Sequence, residues 1–106
     1  MADGFIKQAE IPQYVNTAIH TVTTGRYAEF TVRLLNTTGG SINLSVAISN
    51  TTNPANNEYI EQGLLIPAKS AVLVDNMIAS AGKRIVIQST APGITASVYG
   101  TETLVT

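Results

Sequence analysis

Tyr27-Ala28-Glu29-Phe30-Thr31-Val32-Arg33-Leu34 and Ile42-Asn43-Leu44-Ser45-Val46-Ala47-Ile48-Ser49 are the two stretches whose reading decides the fold. Each alternates apolar with polar residues. Strand side chains point to opposite faces with period two, so each stretch has one face for a core and one for solvent. Gly39-Gly40 lies between them, and glycine supplies the positive φ angles that tight hairpin turns need. The span from Arg26 to Asn50 therefore reads as one long β-hairpin.

The composition around this hairpin points the same way. The 106-residue chain is 44% hydrophobic but only 6% aromatic and 12% charged, the last about half of what soluble domains usually carry. One domain of this size buries roughly two-thirds of its unfolded surface, enough for a core without staples. Abundant Thr, Val and Ile suit a pleated surface, which argues for an all-β domain. Cysteine is absent, so disulfides and thiolate metal sites are excluded.

The formal net charge is −1, and the basic residues Lys7, Arg26, Arg33, Lys69, Lys83 and Arg84 are scattered. Nucleic-acid binding needs a clustered patch that displaces counterions, so no nucleic acid is expected as a partner. Lys83-Arg84, the one adjacent basic pair, reads as a solubilising strand start. No apolar run approaches the ~20 residues that span a bilayer, and no membrane partner is expected. Met1-Ala2-Asp3-Gly4 lacks the pattern of a signal peptide, so synthesis in a cytoplasm is the expectation.

Along the chain, residues 1–13 read as an N-terminal arm with a short edge strand around Phe5 to Ala9, interrupted by Pro12. Residues 14–106 read as a single domain. Strands are expected from Tyr14 to Thr23, through the two hairpin arms, from Glu58 to Ile66 with a bulge at Gly63, from Ala71 to Val74, from Lys83 to Ser89, and from Ile94 to Gly100. Asn50 to Asn57 is a polar loop of turn-forming residues, and Asp75 to Gly82 a loose connection. No helical periodicity is present. About seven to eight antiparallel strands need two packed sheets, which predicts a β-sandwich of jelly-roll or Ig-like type. Ile85-Val86-Ile87 are consecutive apolar residues. Either one of them faces outward as a subunit contact, or the strand is buried on both faces; low surface charge favours assembly.

Candidate chemistry is sparse. His20, the single histidine, lies in a Thr-rich strand with no carboxylates nearby in sequence, and reads as structural. Glu58 and Glu61 are three apart, which on a strand puts them on opposite faces rather than in a general acid/base pair. The loop 50–57 has no carboxylate for Ca²⁺, so neither Asp75 nor this loop reads as a metal site. No phosphate-binding loop or nucleophile elbow occurs. The expectation is no catalysis, no cofactor and no metal.

Further motifs carry a resemblance. Asn36-Thr37-Thr38, Tyr59-Ile60-Glu61-Gln62-Gly63, Pro67-Ala68, Ala81-Gly82 before Lys83-Arg84-Ile85-Val86-Ile87, and Val98-Tyr99-Gly100-Thr101-Glu102 follow one another in an order that resembles small virion structural proteins of tailed bacteriophages. The resemblance covers about residues 20 to 102 and carries no catalytic residues. It implies a virion location and a capsid decoration, or cement, role. The implied partners are the major capsid protein or other virion proteins, together with copies of the chain itself, a trimer being favoured. The alternatives are a tail, neck or fibre-associated sandwich and a carbohydrate-binding sandwich. The last would rely on Tyr14, Tyr27, Tyr59 or Tyr99, since the chain has no Trp. Contacts are expected at Phe5, Ile6 and Ile11 of the arm, at Asn53, Pro54 and Asn56 of the polar loop, and at Ile85, Val86 and Ile87. On this reading the hairpin is scaffold.

Overall fold

The computed structural model describes residues 2–104, with the side chains of all of these except 2, 3, 56 and 76. Eight strands follow in order: β1 Ala2–Ile11, β2 Thr17–Thr21, β3 Arg26–Asn36, β4 Ile42–Ser49, β5 Tyr59–Ile66, β6 Ala71–Ala79, β7 Arg84–Ser89 and β8 Ile94–Leu104. They form two four-stranded antiparallel sheets, β1-β8-β3-β6 and β2-β7-β4-β5, called here sheet A and sheet B. The chain is a β-sandwich, and its strand order is that of a jelly roll.

In that order only β4 and β5 are both consecutive and paired; the other links cross between the sheets. The single hairpin expected from Arg26 to Asn50 is therefore not formed. β3 pairs with β6 and β8, and β4 with β5 and β7. Period-two alternation gives each arm an inner face but not a partner, and two strands facing each other across a core satisfy it as well as two strands side by side. The burial of β3 follows the alternation closely, and that of β4 follows it as far as Val46, after which Ala47 and Ser49 are also buried. Neither Gly39 nor Gly40 takes a left-handed φ.

Asn36 makes the corner instead. Fully buried at the end of β3, it donates its side-chain amide to the carbonyls of Gly40 (2.7 Å), Ile66 (3.1 Å) and Pro67 (3.3 Å). Its Oδ1 accepts from the backbone N–H and the hydroxyl of Thr38, at 2.9 and 2.7 Å. Thr37 next to it donates both its N–H (3.0 Å) and its hydroxyl (2.9 Å) to Gly93 O, which ties this corner to the β7–β8 turn. Buried polar groups need partners, and here one side chain satisfies several at once.

The stretch read as an arm is strand β1, in register with β8 from Ala2↔Thr103 to Ile11↔Ile94. After Pro12 the chain crosses to sheet B, with Tyr14 at φ 58° and its N–H on Ser89 O. β6 continues through the expected loose connection to Ala79, because a bulge opposite Thr31 resets its parity and returns Met77 and Ala79 to the core. Gly63, at φ +71°, sits where the β4–β5 register shifts, as its sequence position suggested. β8 runs on past Gly100, where a Cβ would lie 2.0 Å from Glu29 O. Phe5 and Phe30, its partners on either side, flank this glycine. The core between the sheets is aliphatic, with Leu34, Leu44, Ile66, Ile85, Ile87 and Ile94 fully buried.

Candidate functional site

At the end of the sandwich away from Asn36, β2 and β8 bring two ionisable side chains together. His20 Nε2 lies 2.6 Å from Glu102 Oε2, both side chains being at most 9% exposed. The Phe5 ring stacks on the imidazole, with centroids 4.2 Å apart and planes 11° from parallel. Burial pushes the Glu102 carboxyl up, but hydrogen bonds from the Thr23 hydroxyl and backbone and from His20 outweigh it and hold the group below its ordinary value. Lys7 and Arg26 line the hollow in front of the pair. The arrangement fastens sheet A to sheet B: the carboxylate takes its donors from β2 of the opposite layer and from Thr23 in the connection that follows it, and Phe5 covers the imidazole face.

Glu58 has a comparable local task. It closes a 3-10 turn, Asn56–Glu58, its Oε1 accepting from Ala55 N–H and Ser49 Oγ at 2.8 Å each. These bonds hold its pKa below the ordinary value. Glu61 sits on β5 opposite Val46, so the two glutamates serve different elements. Among the described residues, no three His, Cys, Asp or Glu side chains gather as a metal site.

The expected contact residues separate into groups. Ile85 and Ile87 point into the core, and Val86, which points outward, is only 2% exposed. Val86 pairs with Ala18 on one side and with the equally buried Ala47 on the other. The polar loop folds over this face, with Arg84 Nη1 on Thr52 Oγ1 (3.0 Å) and Asn16 Nδ2 on Asn53 Oδ1 (3.3 Å). The Ile85–Ile87 run is thus covered on both faces and presents nothing to a partner. Ile11 is likewise fully buried, because the arm is a strand of the sandwich. Phe5 is half-buried against His20, Pro54 is half-buried, and Asn53 is exposed while bonded to Asn16. The side chain of Asn56 lies outside the described residues. Ile6 alone among the expected apolar contacts is largely exposed, at 72%.

Ile6 belongs to a surface that the sequence reading did not assemble. Strand register places three rows across the outer face of sheet A: Gln8–Ser97–Arg33–Leu73, then Ile6–Tyr99–Thr31, then Gly4–Thr101–Glu29–Ile78. Leu73 and Ile78 are more than half exposed, and Tyr99 is 38% exposed between them and Ile6. Two open hollows flank Tyr99. One, of about 640 Å³, is lined by Gly4, Ile6 and Thr101. The other, of about 430 Å³, is lined by Glu29, Thr31, Met77 and Ile78. Gly4 contributes to the relief, since it has no side chain to fill the first hollow.

No family model and no curated protein matches the sequence. Among solved structures, that of IMPa from Pseudomonas aeruginosa in complex with an O-glycopeptide is similar over 96% of this chain, with 15% identity and a TM-score of 0.38. This chain spans 13% of the length of that one. A likeness at that level says nothing of what this chain does.

Proposed function

We propose that this chain is a non-enzymatic structural protein of a tailed-bacteriophage virion, a capsid decoration subunit made in the host cytoplasm that binds the head surface and stabilises it. The observation that carries the reading is the outer face of sheet A, which turns Ile6, Leu73, Ile78 and Tyr99 to solvent on a four-stranded surface. Large apolar side chains gathered on one face mark an association surface. The order of turn motifs supplies the phage context. Jelly rolls also build lectins and other proteins, so the strand order alone assigns no function.

Decoration works by repetition. A small domain that meets both the major capsid protein and its own copies gains avidity from many weak contacts. Purified protein mixed with expanded capsids at micromolar concentration should co-sediment saturably and raise their resistance to heat and to low ionic strength. Absence of co-sedimentation with capsids of its own phage would overturn the assignment.

A further inference from the structure

We infer that the outer face of sheet A is a two-fold contact between copies of this chain. The inference rests on reading that face as an association surface, though not on the particle it serves.

A two-fold contact requires a patch that complements itself. When two such sheets stack face to face about an axis lying along the Ile6–Tyr99–Thr31 row, each residue two positions above the row meets the residue two positions below it on the second copy. The two flanking rows match in that sense. Arg33 faces Glu29 of the second copy, and Glu29 faces its Arg33. Leu73 faces Ile78 in the same reciprocal way, and Gln8 faces the hollow that Gly4 leaves. Glu29 and Arg33 are both exposed, and neither side chain has an ion-pair partner among the described residues. A three-fold contact would not pair these rows reciprocally. Asp75, exposed on β6 between Leu73 and Ile78, lies close to the axis row, and repulsion from its own copy is a cost that helps keep the contact reversible.

The area is sufficient for a reversible dimer. Four strands about 4.8 Å apart, over nine residues at about 3.4 Å each, give a face on the order of 500 Å² per copy. About 1,000 Å² in total is the lower bound for a specific interface, which suits a reversible dimer.

Sedimentation equilibrium of the full chain, without capsids, tests this independently of the virion assignment. The expected result is a monomer–dimer equilibrium. Glu29→Lys sets two cations against each other and Arg33→Glu two anions, so each alone weakens the dimer about tenfold or more. The combined Glu29→Lys/Arg33→Glu variant restores it, because the axis exchanges the two rows. Ile78→Ser weakens it without touching charge. All three positions are at the surface, and circular dichroism melting checks that each variant folds. A monomer at all concentrations up to hundreds of micromolar, a trimer, or a dimer that the double reversal fails to restore would each overturn the inference. Loss of capsid binding with the dimer intact would instead count against the proposed function alone.

Discussion

Asn36→Ala tests whether the β3–β4 link is a corner between sheets, held by one amide. In the folded chain the Asn36 side chain serves the carbonyls of Gly40, Ile66 and Pro67 and the N–H of Thr38. Truncation orphans the carbonyl of Ile66, a fully buried residue, whereas the carbonyls of Gly40 and Pro67 keep the Thr38 hydroxyl and the Ser70 N–H. A hydrogen bond contributes about 1 kcal/mol net, and an orphaned buried group costs about 1–3 kcal/mol. One orphaned buried carbonyl and the net loss of the remaining bonds give a loss of roughly 3 kcal/mol. Domains of this size are stable by about 5–15 kcal/mol, so the variant should retain a fold but lose a substantial part of its margin. Urea unfolding followed by circular dichroism measures this directly. At a slope of about 1–2 kcal/mol per molar, the midpoint should fall by roughly 2 M.

Two companions make the result decisive. Asn43→Ala, at an exposed position of β4, should change stability by no more than about 0.5 kcal/mol. Asn36→Asp keeps the acceptor for Thr38 but turns a carboxylate toward three carbonyl oxygens. Burial and these acceptors would raise its folded pKa above the unfolded value of about 3.9. A raised pKa contributes stability that is present below the unfolded value and is lost as pH rises through the folded one, so this variant should be more stable in acid than at neutrality. If Asn36→Ala costs less than about 1 kcal/mol, or matches Asn43→Ala, the corner is not held as described and the reasoning fails.

The remaining predictions concern β8. Gly100→Ala places a methyl against the Glu29 carbonyl of β3. Because backbone rather than a flexible side chain must move, it should cost about 3 kcal/mol or more in thermal or urea unfolding; a neutral result would mean that the strands sit further apart. Against the opposing effect of burial, hydrogen bonds from Thr23 and His20 hold the Glu102 carboxyl below its ordinary value. Its contribution is therefore present above the unfolded pKa and lost as pH falls through the folded one. Stability measured from neutrality down to about pH 3 should decline more steeply in the native chain than in Glu102→Gln, and parallel profiles would rule out the pair as an acid-sensitive fastening.

What the sequence disclosed was parity, and what it withheld was adjacency. β3 and β4 were legible because alternation needs only neighbours along the chain. Their partners were not, since a jelly roll joins strands far apart in sequence, as β1 joins β8. Two local breaks also misled. Pro12 made residues 1–13 look like an arm, although it only ends a strand paired along its whole length. The β6 bulge hid the strand's second half by shifting the phase of Met77 and Ala79. Gly63 was readable because glycine at a register shift leaves a mark in the sequence itself. Val86 was misread for another reason. Its parity is outward, but the Asn- and Thr-rich loop returns over it through side-chain bonds that no periodicity encodes.

The candidate surfaces follow the same division. His20 and Glu102 are 82 residues apart, and nothing in either local sequence announces the other. Glu29 and Arg33 lie on one strand, four residues apart, so their common face could be read at once. Their significance could not, because it depends on what stands beside them. Only when β6 places Leu73 next to Arg33 and Ile78 next to Glu29 does the face become two matching rows about a shared axis. Charge reversal at those two positions therefore probes more than an ion pair. Its rescue requires that β3 meet its own copy antiparallel, and the Ile78→Ser variant extends the test to the row that β6 adds.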